Sequence, residues 1–420
     1  MIEETFHGIL KLSTKKNYLK FMRQMDQLKN VQLSKINMNY QNFSNLPLTN
    51  YHDYQKQFEL QRSSGVHCVP TSGSTHKVKW IPYTKTFKNE LKNASDPWIY
   101  DLYKRVPQIQ SGKHYWSLSW VPEEFRSTLN SNDASLFSFF DQFILDKTML
   151  VNEKISRVES VEQTMLLTLK KMFEEKLTLI SVWSPTFLLE LLDFSLTHKE
   201  KLLSIMSDSK IKAKLRLVNE WNAETSIFMF PNLFLISCWQ TSSSFYFFKK
   251  LKEIFPNVIF QGKGLWSTEG VVSIPVDDRF LLAYQSHFYE FYCPYTERIY
   301  PAFELEKEME LIPILTTANG MTRYKTDDLV KIKNFYHTIP EIEFIGRKNV
   351  SDLVGEKIDF VSAQKLLVLI QEKFQVNALC FLAKKNPHPF YELIVECTDV
   401  EIIKSIADFA EKYFLGCVSS

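Results

Sequence analysis

The chain has 420 residues, 45% of them hydrophobic and 14% aromatic, with 50 basic against 48 acidic side chains and a net charge of +2. That apolar content excludes disorder, and the balance of charge offers no global field for nucleic acid or an anionic membrane. Only 11 glycines are present, about 2.6% against an average of roughly 7%, so each one marks a place where the backbone has a special need.

The first 60 residues read as helices, with Leu19, Phe21, Met22 and Leu28 at helical spacing. From Leu177 the pattern alternates. LTLISVW is a strand; Ser184 and Pro185 are an N-cap and first helical residue; and the helix they open turns Phe187, Leu188, Leu191, Leu192 and Leu196 inward. NLFLISCW, SSSFYFFKKLKEIF and NVIFQ continue it as strand, helix and strand, which predicts an α/β sheet covered by helices. Beyond Gly270 the closely spaced runs VVSIPV, FLLAYQ, HFYEFY and ELIPILTT leave little room for helices and predict an antiparallel, barrel-like β subdomain. After IEFIGRKN come a helix over 360–374, strands ALCFLA and FYELIVEC around the turn-forming KKNPHP, and a helix over 400–414. The chain therefore divides into a large domain, 1–347, and a small α+β domain, 348–420.

The six cysteines show no metal-binding spacing. In a chain of this length they predict reduced thiols. The amino terminus, MIEETFHGILKLSTKK, lacks the charge and apolar run of a signal peptide, and no stretch approaches the ~18 apolar residues of a membrane span. A cytoplasmic protein is expected.

Three segments carry chemistry. In TSGSTHKVK, the hydroxyls of Ser72, Ser74 and Thr75 surround Gly73, and Lys79 follows; such a run can cradle a phosphate chain, although by default it is only a turn, and GxxxxGK[ST] is absent. In QGKGLWSTEG, three glycines crowd the end of the strand NVIFQ and place Glu269 on a tight turn beyond a strand's carboxyl end, where a carboxylate could hold phosphate-bound Mg2+. In GMTRYKTDDLVKI, Asp327 and Asp328 precede a strand, where a carboxylate can accept hydrogen bonds from both hydroxyls of a ribose. Each is weak alone. In this order they are the parts of an ATP site.

These segments, with WIPYT, LISVWSPTFLLELLD, PNLFLISCWQ, AYQSHFYEF and FIGRKNVSDLVGEKID, resemble the Gretchen Hagen family of acyl acid amido synthetases, also known as auxin-responsive promoter proteins, and the bacterial branch in particular. The resemblance runs from about residue 51 to 360. It implies an adenylate-forming fold and a two-step reaction: ATP and a carboxylic acid give an acyl adenylate, and an amine such as an amino acid then displaces AMP. On this basis Ser72, Gly73, Ser74, Thr75 and Lys79 match the phosphate motif, Glu269 the Mg2+ carboxylate, with Thr268 beside it, and Asp328 the ribose carboxylate. Trp266 and Tyr324 border the nucleotide, and Arg347 begins the hinge about which the small domain swings.

The sequence also departs from the family. His76 replaces a small residue, Lys325 stands where arginine is frequent, and Asp327 stands where glycine is frequent. No segment matches the family's C-terminal lysine, so the small domain is expected to be shortened. Two alternatives stay open: an adenylate passed to a thiol or hydroxyl, and a degenerate member that binds nucleotide without turnover. Trp116, Trp120, Trp183 and Phe187 are apolar enough to line an acyl pocket, or simply to be core.

Overall fold

The computed structural model describes residues 2–70, 79–117, 147–151, 160–241, 244–347, 350–351, 358–384 and 390–418. The helix Ile2–Arg23 buries Leu10, Tyr18 and Phe21 in the same core as Leu91, Trp98 and Leu102 of the helix Lys85–Arg105. His7 ties this pair to the sheet behind it: one ring nitrogen meets the Tyr103 hydroxyl and the other the Gly112 carbonyl, both at 2.7 Å. The helix Tyr51–Ser63 starts at a capping box made by Asn50 and Asp53. It leads into the antiparallel pair β1 (Cys68–Pro70) and β2 (Trp80–Pro82). The predicted phosphate loop, residues 71–78, lies outside the described residues.

The predicted α/β unit is present. Strands β3 (Lys113–Trp116), β4 (Leu177–Ser181), β5 (Leu235–Ser237) and β6 (Ile259–Gln261) form a parallel sheet in chain order. Its register sets Trp116, Ser181, Ser237 and Gln261 side by side at the carboxyl edge. The helix Pro185–Thr197 begins as expected, with the Ser184 hydroxyl accepting from Thr186 N–H at 3.2 Å. Leu188, Leu191 and Leu192 are fully buried, while Phe187 and Leu196 are half-buried.

Two short strands, β7 (Trp266–Ser267) and β8 (Gly270–Val271), make a hairpin with Glu269 in its turn. They lead into an antiparallel sheet built from β9 (Ser273–Val276), β10 (Arg279–Leu282), β11 (Phe288–Tyr292), β12 (Ile299–Pro301), β13 (Glu310–Thr316), β14 (Tyr324–Lys325), β15 (Asp328–Tyr336) and β16 (Ile339–Arg347). The order is β12-β11-β13-β15-β16-β10-β9, with β14 paired to β13. Inside it, Arg323 and Glu290 form a buried bidentate pair at 2.8 and 3.0 Å, and Tyr40 donates to the same carboxylate at 3.0 Å. Such a pair fixes geometry more than it stabilises, because two buried charges lose their hydration. Arg323 also donates to the Ser44 and Leu46 carbonyls, just ahead of Thr49, whose backbone bridges Tyr324.

Past β16 come the pairs β17 (Val350–Ser351) with β18 (Ile358–Asp359) and β19 (Asn377–Lys384) with β20 (Phe390–Glu396), and helices Phe360–Phe374 and Val400–Val418. Leu366, Ile370, Ala378, Ile406 and Ala410 make a separate small core. Polar contacts join this unit to the helix Phe245–Ile254: Lys250 donates to Asn377 at 2.8 Å, and Lys249 lies 3.8 Å from Glu372.

Candidate active site

The glycine-rich run after β6 is shaped by the protein's own packing. A Cβ on Gly262 would stand 2.3 Å from the Phe280 ring, and one on Gly264 would stand 1.8 Å from the Ser273 carbonyl oxygen. At Gly264 the obstacle is backbone and no side chain fits, whereas at Gly262 the Phe280 ring would have to move aside. These glycines were expected where the backbone bends or approaches nucleotide; what they meet in the structure is the facing strand pair β9–β10. By bringing the chain close to that pair, they set the position of the β7–β8 hairpin.

Glu269 is half-buried in the hairpin turn. Its Oε2 accepts from the Thr268 hydroxyl at 2.8 Å, and its Oε1 lies 3.5 Å from the Tyr324 hydroxyl. Burial, then the nearby Glu269 carboxylate, push the Tyr324 phenol well above its ordinary value, so it stays a neutral donor. Tyr324 belongs to β14, and Asp328, buried, opens β15 four residues later. Asp328 sits opposite Arg347 in the β15–β16 register, which brings the expected ribose carboxylate and the expected hinge residue to one place on the backbone.

Lys79 approaches from β2's side, with Nζ 5.7 Å from the Tyr51 ring. The Tyr51 hydroxyl in turn accepts from Trp80 N–H at 2.9 Å, and Tyr51 also contributes to the raised pKa of Tyr324. Tyr51 thus joins the predicted phosphate-side and metal-side residues, and sequence reasoning missed it. Ser72, Gly73, Ser74, Thr75 and His76 lie outside the described residues. Asp327 is exposed and does not adopt a left-handed backbone; that conformation falls instead on Arg323, at φ 51°. The aspartate therefore replaces glycine without backbone strain and only adds negative charge near Tyr324.

The donor set suits Mg2+ carried on phosphate. Among the described residues no group of three or more His, Cys, Asp or Glu is placed to hold a metal, while Glu269 offers a half-buried carboxylate oxygen. Mg2+ usually takes one or two carboxylates, with water and substrate phosphates supplying the rest.

Trp266 packs against Trp98 with ring centroids 5.8 Å apart. Trp98 donates to Gln261 at 2.7 Å and also faces the buried Lys263, whose Nζ is 5.0 Å from its ring. Trp116 and Trp183, predicted as acyl-pocket candidates, stand around the same lysine; Trp120 lies outside the described residues, and Phe187 packs in the core behind the parallel sheet.

With this architecture on the page, comparison with known proteins is direct. The GH3 family N-terminal domain matches residues 3–224, and the GH3 family central domain matches residues 280–347. The chain belongs to the GH3 family. It is similar to indole-3-acetic acid-amido synthetase GH3.3 of Arabidopsis thaliana, 40% identical over 47 residues, which are 11% of this chain and 8% of that protein. It is also similar to jasmonoyl–L-amino acid synthetase JAR6 of Nicotiana attenuata, 29% identical over 132 residues, 28% and 22% of the two chains. The matched segments thus span less than a quarter of these relatives. The fold extends further: the solved structure of AtGH3.15 acyl acid amido synthetase in complex with 2,4-DB superposes with a TM-score of 0.78 at 14% identity, covering 94% of this chain and 84% of that one.

Among the described residues, no helix is long and apolar enough to cross a membrane, and Cys68, Cys238, Cys293, Cys380 and Cys397 are free thiols.

Proposed function

We propose that this protein is an ATP-dependent acyl acid ligase that makes an amide, as the names of its GH3 relatives suggest. The observation that carries the proposal is the approach of Glu269 to Tyr324, 3.5 Å between their side-chain oxygens, with Asp328 opening the next strand, in a chain matched by both GH3 domains. In the first half-reaction a carboxylate oxygen of the acid attacks the α-phosphorus of ATP, the bond to the β-phosphate oxygen breaks, and pyrophosphate leaves. In the second, an amine, typically of an amino acid, attacks the acyl carbon, the acyl–oxygen bond breaks, AMP leaves, and the amine loses a proton.

The protein's part is positioning and electrostatics. Ser72, Gly73, Ser74, Thr75 and Lys79 hold the phosphates. Asp328 accepts from the ribose hydroxyls. Glu269 holds Mg2+, oriented by Thr268 and by the neutral Tyr324 hydroxyl; the ion, when bound, neutralises phosphate charge. Trp266 borders the nucleotide. Arg347 ends the large domain, 1–347, and the small domain, 348–420, moves about it. We infer a cytoplasmic setting, which the free thiols support.

ATP–pyrophosphate exchange with a panel of aromatic and aliphatic acids tests the first half-reaction. Exchange dependent on one or more acids is expected, and Glu269→Ala should lower it by a factor of about 100 or more. Absence of exchange with every acid tried, together with no ATP binding, would reject the reading. Product masses from amino acids, thiols and alcohols then identify the acceptor.

A further inference from the structure

The hairpin that carries Glu269 stands apart from the large sheets. Its strands β7 and β8 pair over two residues each and, among the described residues, join no other strand. A two-stranded ribbon this short is not stable by itself, so its position has to come from contacts outside it. Val271, two residues after Glu269, is gripped at both of its backbone groups. Its N–H donates to His287 Nε2 at 3.2 Å, and its carbonyl accepts from the Tyr289 hydroxyl at 2.6 Å. Both side chains come from the start of β11. Gly270 lets the imidazole come this close, since a Cβ there would stand 2.9 Å from His287 Nε2.

The histidine is fixed in turn. A ring nitrogen that accepts the Val271 N–H carries no proton, so the imidazole proton sits on Nδ1. Nδ1 donates to Glu90 Oε2 at 3.0 Å. The ring is fully buried and stacked on Phe87, and burial holds it below its ordinary value against the pull of Glu90, which keeps it neutral. The same Glu90 oxygen accepts the Ala318 N–H at 2.8 Å. Ala318 lies in the turn that links β13 to β14, and so leads to Tyr324 and Asp328. One carboxylate oxygen on the helix Lys85–Arg105 thus joins the two strings, 266–270 and 324–328, that carry the candidate site. Apolar side chains would fill these positions without desolvating a carboxylate and an imidazole, but they could make neither link.

We propose that Glu90 and His287 are positioning residues for the metal-assisted step: they lock the β7–β8 hairpin, and Glu269 with it, against the turn that leads to Tyr324 and Asp328. They act through the backbone on either side and not on substrate. This rests on the ligase reading, in which Glu269 holds Mg2+, and adds to it the residues that place that carboxylate. Placement matters at this scale, because a shift of about 1 Å in a reacting arrangement can cost on the order of a hundredfold in rate.

Two measurements on the full-length protein test this. Amide hydrogen exchange of the segment 268–272 needs no ligand: His287→Phe, which keeps a ring against Phe87 but neither hydrogen bond, should speed it about tenfold or more and leave β13 unchanged. ATP binding, followed by tryptophan fluorescence, is then measured in EDTA and in excess Mg2+. Mg2+ should tighten binding to the parent about tenfold or more, and His287→Phe and Glu90→Leu should each erase most of that gain while binding in EDTA stays within about twofold. His287→Gln and Glu90→Gln each keep a carbonyl oxygen for these N–H groups and should retain part of the gain. If an apolar variant fails to fold, the glutamine variants decide, with an expected loss of about two- to fivefold in the gain, and no loss counts against the proposal. Hydrogen exchange unchanged in His287→Phe, a parent-like Mg2+ gain in both apolar variants, or equal losses with and without Mg2+ would overturn it. A gain lost in Glu269→Ala but kept in the Glu90 and His287 variants would leave Glu269 as the metal carboxylate and reject the pair as its support. No gain in the parent would reject the metal assignment and this proposal with it.

Discussion

The two sheets build their functional edges in different ways. In the parallel sheet, equal register brings the last residues of four strands together, and the loops beyond them add Trp183 and Lys263. In the antiparallel region, the candidate residues sit on a hairpin turn and a strand start, with Glu269 facing Tyr324 and Asp328 four residues further on. Both arrangements join residues far apart in the chain, with Glu269 and Tyr324 55 positions apart, but the second is carried by two short strings, 266–270 and 324–328, whereas the first takes one or two residues from each of several segments. The second can therefore be read from short strings of sequence, whereas the first depends on how the sheet and its covering helix pack.

The connection between these regions is the place to break the comparison. Gly264→Ala would drive a Cβ into the Ser273 carbonyl, 1.8 Å away, and a backbone atom cannot swing aside as a side chain can. It should cost about 1–3 kcal/mol in denaturant unfolding, as at other overpacked sites. It should also impair the Glu269 and Lys263 sides together. A variant as stable as the parent would show that the two edges are positioned independently.

Asp328→Ala separates them more gently. It should raise the KM for ATP about tenfold in the exchange assay, the loss expected for a charged hydrogen bond, and leave the KM for the acid within about twofold. An equal rise in both would mean that Asp328 supports the fold of the site rather than the ribose.

The smallest effect concerns the helix Lys85–Arg105, which serves both edges through Trp98. Burial first, then Asp277, push the Asp101 carboxyl up to about 6, and its Oδ1 has no hydrogen-bond partner among the described residues. Because the folded form binds the proton more tightly than the unfolded form, its contribution is fully present below the unfolded value near 4. It is lost as pH rises toward about 6. Asp101→Asn should therefore raise the melting temperature at pH 7 by a few degrees and flatten the profile between pH 4 and 6. An unchanged difference between variant and parent across that range would reject the assignment.

The helices and strands were largely legible in the sequence. The helix over 360–374 falls where its periodicity predicts, and Ser184 caps the helix that begins at Pro185. Ends were less legible: NLFLISCW pairs only over Leu235–Ser237, and the last helix runs on to Val418 rather than 414. Apolar periodicity signals that an element exists, but hydrogen-bond partners elsewhere decide where it stops.

Sequence by itself determined the order of the motifs, the family resemblance, and Glu269 and Asp328 as candidate ligands, because those features depend on residue type and short spacing. It also set the scarcity of glycine. Only the tertiary structure decided what two of those glycines do: Gly262 and Gly264 admit the chain against Phe280 and Ser273. Lys263 lay in plain view within QGKGLWSTEG, yet nothing in that string marks it. Its surroundings are three indoles and a hydroxyl contributed by other parts of the chain, and such convergence exists only once the sheet has set its register.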